Sequence, residues 1–309
     1  MEQKPRLKTG TIAPYWVLLL VAFTPAAADS SDRGLSPRDA AIIEEAYNVW
    51  FSVVDGIWPG ASQVFAPMVY IGEQYEYAIG FAGQLTGFTN AGSLGTSQRR
   101  VQLRLRTLAP DLAASFPSEG TPAVVIGSPE GLGKGAGQWV LTASHEMFHV
   151  FQAAQGMRER VTSLDIGPQN DASWHLTFPF PYGDSDVMRL IHLQGYLLWL
   201  AFTGPDMADA RYNVSAALDT LSVYRSRLDQ MRPDGKDYRY SVFQEWNEGV
   251  AAYTEFRIAQ VAGSRAYQPT KPFSTLPGFQ SYEELWKQVY QDRVYLVKHA
   301  GRAAKSRTA

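Results

Sequence analysis

Apolar positions in the first half of the chain change their spacing from helical to alternating. They recur every three to four residues from Pro37 to about Val54, which predicts an amphipathic helix that the turn residues Trp58-Pro59-Gly60 follow. Nearly alternate positions are apolar from about Val64 to Phe81 and from Val101 to Leu105, and a dense apolar run covers Thr121–Ile126. These three segments are typical of β-strands.

Helical spacing returns at Gln138–Gln155, an amphipathic run that Gly156 ends. The remainder of the chain is mainly helical in its pattern. Further helices are expected over about Ser185–Phe202, Met207–Met231, Val242–Ala262 and Tyr282–His299. The predicted fold class is therefore α+β, with a mixed α/β lobe at 29–160 and a helical lobe at 161–309.

The first 28 residues have the three parts of a secretory signal peptide. A basic start with Lys4, Arg6 and Lys8 precedes an apolar run from about Ile12 to Phe23, and small residues lead up to Ala28. The apolar run is shorter than the roughly 20 residues that span a bilayer. We therefore expect cleavage near Ala28, no stable membrane span in the mature chain, and export to a bacterial periplasm or to the medium.

Composition narrows the possible functions. Hydrophobic residues make up 45% of the chain and charged residues 19%, which is enough apolar material for a sizeable core. Because 28 basic side chains stand against 30 acidic ones, the chain lacks the basic surplus of nucleic-acid-binding proteins. There is no cysteine, which excludes disulfides, thiolate metal sites and cysteine nucleophiles. Any metal must be held by nitrogen and oxygen atoms.

The segment His145-Glu146-Met147-Phe148-His149 lies inside the predicted helix that starts at Gln138. Four residues advance a helix by little more than one turn, so both imidazoles project from one face and can hold one ion. Zinc lowers the pKa of a bound water towards about 7, and Glu146 can accept the proton as that water attacks a carbonyl. The pattern predicts a zinc hydrolase, whereas the alternative is a surface histidine pair beside an exposed acid.

A catalytic zinc usually has three protein ligands, and without cysteine the third must be His, Asp or Glu. The best source is Trp246–Glu255, which reads WNEGVAAYTE. Together with HEMFH it resembles the gluzincin metallopeptidases, the thermolysin-like and aminopeptidase N-like enzymes, over about 25 residues. The resemblance implies Glu248 as the third ligand, one zinc per chain, a zincin-like fold and a peptide or protein substrate. It also implies an edge strand that binds the substrate, for which Pro122–Ile126 is the candidate.

Helical geometry separates the two acids of this segment. Glu255 lies seven residues after Glu248, on the same face but about 10 Å along the axis, so both cannot bind one ion. Glu255 can instead orient a ligand histidine, or it can lie on a solvated helix face.

Acyl transfer also needs a hydrogen-bond donor for the developing oxyanion, usually Tyr or His. The candidates are His192, Tyr196, Tyr290 and Tyr295, with His175 and His299 weaker. The sequence does not choose among them, and each is also an ordinary structural residue.

The remaining expectations concern the cleft and the reaction. The helix Leu190–Phe202 is apolar nearly all round, which predicts that it forms the core of the helical lobe. The loop from Gly167 to Gly183 is expected to overhang the cleft. Two other functions stay open: a zinc amidohydrolase of the cell envelope, and a non-catalytic binding or assembly protein on a peptidase frame. Glu146 favours an enzyme, because a structural zinc site closes four ligands and has no use for that carboxylate.

Overall fold

The computed structural model describes residues 34–95, 98–168, 174–203, 206–264 and 267–292. The expected signal peptide and the candidates Tyr295 and His299 lie outside these described residues. The helices are α1 (Pro37–Val53), α2 (Ala136–Ala154), α3 (Met157–Ser163), α4 (Trp174–Thr177), α5 (Ser185–Thr203), α6 (Met207–Met231), α7 (Lys236–Ser264), α8 (Lys271–Ser274) and α9 (282–292). The strands are β1 (Met68–Ile71), β2 (Tyr75–Ile79), β3 (Thr89–Leu94), β4 (Arg99–Leu105), β5 (Ala113–Ser118) and β6 (Thr121–Gly127).

The ends of the helices follow local chemistry. Ser36 caps α1 by accepting a hydrogen bond from the Asp39 amide at 3.0 Å, and Pro37 occupies the first turn. Gly156 adopts a left-handed φ of 77° between α2 and α3, a conformation that costs glycine little. Helices α1, α2, α5 and α6 have bounds within two residues of those expected, whereas α7 begins six residues before the expected Val242. The α+β class is confirmed.

One six-stranded sheet runs in the order β3-β4-β2-β1-β6-β5. Only β1 and β6 pair in parallel, and the other neighbours are antiparallel. The single strand expected from Val64 to Phe81 is a hairpin, β1 and β2, because Gly72 turns the chain and its amide donates to the Tyr75 carbonyl at 2.9 Å.

The expectation that Pro122–Ile126 forms an edge strand was wrong. This segment is the core of β6, which pairs with β1 on one side and β5 on the other. The edge is β5, whose sequence AASFPS has little apolar alternation and whose Pro117 has no amide hydrogen to donate. Proline is tolerated mainly in edge strands, which explains both the position of β5 and its weak signal in the sequence.

The main core surrounds α2. This helix packs on β5, β6, α1 and the second half of α7. Trp139, fully buried, donates from its indole nitrogen to the Gly127 carbonyl at 2.6 Å and so ties α2 to the end of β6. Ala251 and Ile258 of α7 belong to the same cluster, so this core includes residues from both expected lobes.

A second cluster joins α3, α4, α5, α6 and the first half of α7 through Trp174, Phe180, Val187, Tyr224 and Tyr240. The described residues from Leu35 onward belong to one compact unit that holds both clusters. None of the described helices has the length and apolarity to cross a membrane.

The expectation that Leu190–Phe202 forms the core of the helical part was wrong. In α5 only Val187, Leu190 and Leu197 are buried, and Phe202 is 88% exposed. A helix that is apolar all round needs neighbours on every side to be buried, and α5 packs chiefly against the single helix α6.

Candidate metal centre

Three side chains from two packed helices converge on one point. His145 and His149 lie one turn apart on α2, and Glu248 lies on α7, which packs against it. The two Nε2 atoms are 3.1 Å apart, and Glu248 Oε2 is 3.4 Å from the Nε2 of His145 and 3.7 Å from that of His149. All three ligand atoms lie within 4.8 Å of one another, a spacing that can hold a metal ion.

The far nitrogen of each imidazole has a partner of its own. His149 Nδ1 lies 2.7 Å from Gln152 Oε1, and His145 Nδ1 lies 3.6 Å from Glu255 Oε2. A histidine that donates from Nδ1 keeps the Nε2 lone pair free for a metal, so these partners select the ligating tautomer. The structure thus brings Glu255 to the place expected of an orienting acid. Gln152 was not identified from the sequence, although its position three residues after His149 puts it on the same helix face.

Glu248 is presented to the histidines by its own neighbour. Asn247, which is buried, donates from Nδ2 to Glu248 Oε1 at 2.9 Å, and this leaves Oε2 on the side of the imidazoles. The Glu248 side chain is 56% exposed, whereas those of His145 and His149 are 16% and 10% exposed. The centre is therefore open to solvent on the Glu248 side and closed on the side of α2.

The three ligands are strongly coupled electrostatically. Burial lowers the pKa of His145, but hydrogen bonds to Glu248 and Glu255 outweigh it and raise that pKa to about 9. Hydrogen bonds from His145 and His149 hold the pKa of Glu248 well below its usual range. In the metal-free protein the centre therefore carries a protonated His145 beside an ionised Glu248 at neutral pH.

Glu146 lies beside this centre and is only 6% exposed. Burial raises the pKa of its carboxyl group, and the neighbouring histidines oppose the shift. A buried carboxylate of raised pKa next to ligand histidines is the arrangement expected of a general base.

Three of the candidate oxyanion donors, His192, Tyr196 and Tyr290, lie in the described part of the chain. His192 is exposed on α5, Tyr196 stacks on Trp199, and Tyr290 packs against Phe256. Within the described part of the chain, no hydrogen bond or ion pair joins His192, Tyr196 or Tyr290 to a ligand of the centre.

His175, ranked lower from the sequence, is held close to Glu248. Its carbonyl accepts hydrogen bonds from Tyr240 Oη at 2.9 Å and from Gln244 Nε2 at 3.0 Å, and Gln244 lies one turn before Glu248 on the same face of α7. The imidazole packs against Phe243 with ring centres 4.8 Å apart. Burial lowers the pKa of His175 and the charge of Glu248 acts against this, so the imidazole is neutral at pH 7.

The described part of the segment 167–183 contains α4 and so carries His175 onto α7. Its position beside Glu248 depends on contacts with α7 that are distant in the sequence, and no local pattern marks it.

No protein-family model matches the chain, and neither the curated proteins nor the solved structures contain a significant match.

Proposed function

We propose that this protein is a zinc-dependent hydrolase, and specifically a zincin-like metallopeptidase. The observation that carries the proposal is the convergence of His145 Nε2, His149 Nε2 and a Glu248 oxygen beside the buried carboxylate of Glu146. Two imidazoles and one carboxylate form a ligand set typical of catalytic zinc. Both imidazoles are oriented through Nδ1, as zinc-binding histidines usually are.

Each residue around the centre has a separate role in the proposed hydrolysis. Zinc held by the three side chains would lower the pKa of a water ligand and polarise a carbonyl oxygen. Glu146 accepts the proton from the attacking water at a carboxylate oxygen, and its raised pKa makes it a better base than an ordinary glutamate. Glu255 and Gln152 hold the imidazoles in their ligating orientation.

His175 is the donor that we assign to the developing oxyanion. A neutral imidazole can donate a hydrogen bond from its N–H group to an oxygen as that oxygen gains negative charge. The hydrogen bonds that Tyr240 and Gln244 make to the His175 carbonyl fix its backbone beside Glu248.

The sheet supports a peptide as substrate. Strand β5 pairs only with β6, and α2 packs against both. Among the described strands none pairs with the outer side of β5, so its backbone groups can hydrogen-bond an extended peptide. Many proteases and receptors bind a strand-like ligand in this way. Export of the enzyme is proposed from the first 28 residues.

The test uses the mature chain with zinc supplied and a mixed peptide library read by mass spectrometry. We expect one zinc per chain and peptide cleavage in the wild type. Glu146→Gln should retain zinc and lose cleavage by at least about a hundredfold, because an amide of the same size cannot accept the proton. Glu245→Gln, which changes an acid of α7 three residues before Glu248, serves as the control and should cleave normally.

Three outcomes would change the assignment. Normal cleavage by Glu146→Gln would remove Glu146 as the base. Hydrolysis of cell-wall amides without peptide cleavage would make the protein an amidohydrolase. Zinc binding without any hydrolysis would favour a non-catalytic protein.

A further inference from the structure

Two adjoining cavities form a groove behind α7, on the side of that helix remote from Glu248. Trp246 borders both cavities, and it precedes Glu248 by two residues, which is about 200° around the helix. The smaller cavity, of about 200 Å³, lies between α2, α3 and α7 and is bordered by Phe148, Phe151 and Gln152. The larger, of about 350 Å³, lies between α3 and α7. Arg160 of α3 also borders both, so the cavities meet at Arg160 and Trp246.

Gln152, which borders the smaller cavity, has a polar group without a partner. The side chain is 5% exposed, and its Oε1 atom is occupied by His149 Nδ1. Its Nε2 atom is buried and has no hydrogen-bond partner. A buried amide N–H without a partner is unfavourable, so a small shift of this side chain that brought Nε2 to an acceptor oxygen in the cavity would be stabilised.

Two guanidinium groups border the groove. Arg160 is exposed at the junction of the cavities, and Arg239 borders the larger one. Among the residues whose side chains are described, no carboxylate forms an ion pair with either guanidinium. The remaining lining of the larger cavity is mainly apolar, with Val161, Leu164, Val242 and Phe243. A ligand that fits this lining carries one negative head group and an apolar body.

We propose that this groove binds an aliphatic carboxylate, a fatty-acid-like molecule with one acidic head and a straight apolar chain. Its carboxylate pairs with Arg160 and, after a small shift of the Gln152 side chain, accepts from Gln152 Nε2. Its chain passes Trp246 into the larger cavity. A peptide fits less well, because each amide that it buried would need a hydrogen-bond partner, and apolar walls offer few. This site shares Gln152 with the metal centre, but it does not require the zinc chemistry proposed above.

The experiment is calorimetric titration of the mature protein with dodecanoate, below the concentration at which it forms micelles. It is done with the protein as purified and again with a chelator present. In both titrations we expect saturable binding of one dodecanoate molecule per chain. The uncharged dodecanol should bind at least about tenfold more weakly, because it cannot pair with a guanidinium. Since chelation removes zinc, the result does not depend on whether the metal centre or the hydrolase proposal is correct.

Variants at both ends of the groove test the orientation. Arg160→Ala should weaken dodecanoate binding at least about tenfold, and Val242→Asp should abolish it by placing a charge in the path of the chain. Both positions are exposed enough to change without loss of the fold, since Val242 is 43% exposed. Arg211→Ala and Leu218→Asp, at exposed positions on α6, are the matched controls and should bind normally.

The proposal is overturned if dodecanoate does not bind, or if Val242→Asp binds it as the wild type does, which would indicate partition onto apolar surface. It is also overturned if dodecanol binds as tightly as dodecanoate.

Discussion

Helices α2 and α5 have the same length, 19 residues, and both are rich in apolar residues and contain histidine, but they have opposite environments. Twelve residues of α2 are buried, whereas only three of α5 are. The difference lies in the neighbours, because α2 is covered by strands and by α1 and α7, while α5 packs chiefly on α6. Apolar character alone does not determine burial, and the helix with neighbours on several sides has its histidines held by fixed partners.

The largest effect that we expect from this contrast concerns zinc. In the proposed zinc centre His149→Ala removes one of three ligands. It should lower zinc affinity about a thousandfold, because binding energies of about 10–16 kcal/mol come from few ligands. The matched change on α5, His192→Ala, should leave zinc affinity unchanged. Titration against a competing chelator measures both. Equal zinc affinity in His149→Ala and the wild type would show that the metal is held elsewhere.

Stability tests the difference in packing directly. Leu141→Ala on α2 removes a fully buried side chain and should lower the free energy of unfolding by about 2–5 kcal/mol. Leu198→Ala on α5, where the side chain is 37% exposed, should cost less than about 1 kcal/mol. Denaturant unfolding of the two metal-free variants gives both values. If they are equally destabilised, α5 is covered in solution by something that packs on it.

A smaller effect should follow from loss of an orienting partner. Gln152→Ala removes the acceptor of His149 Nδ1 and should lower zinc affinity about ten- to a hundredfold, while leaving all three ligands in place. The glutamine of α5, changed as Gln194→Ala, is the control. Titration against a competing chelator measures the zinc affinity of both variants. If Gln152→Ala binds zinc as tightly as the wild type, the hydrogen bond does not orient the imidazole.

Helices α2 and α5 also show which features of the structure could be predicted from the sequence. Both were predicted in the right places, and His145 and His149 were assigned to one face, because helical spacing is a local property. Gln152 falls in the same register and could have been found by extending the histidine face by one turn. The burial of α5, the edge position of β5 and the approach of His175 to Glu248 depend on which elements become neighbours, and residue spacing does not carry that information.

The last prediction concerns the protonation state of His145 and its effect on zinc binding. In the metal-free protein this imidazole is protonated at pH 7, because hydrogen bonds to Glu248 and Glu255 raise its pKa to about 9. Zinc must displace the proton, so the apparent zinc affinity should rise about tenfold per pH unit above pH 7 and level off as the pH passes about 9. Glu255→Gln weakens the hold on the proton and should bring the plateau to a lower pH, whereas Glu283→Gln, which changes an exposed acid paired with Lys287, should not. Chelator competition at a series of pH values measures the slope. An affinity that does not change between pH 7 and 9 would mean that His145 is already neutral and that the carboxylates beside it do not hold its proton.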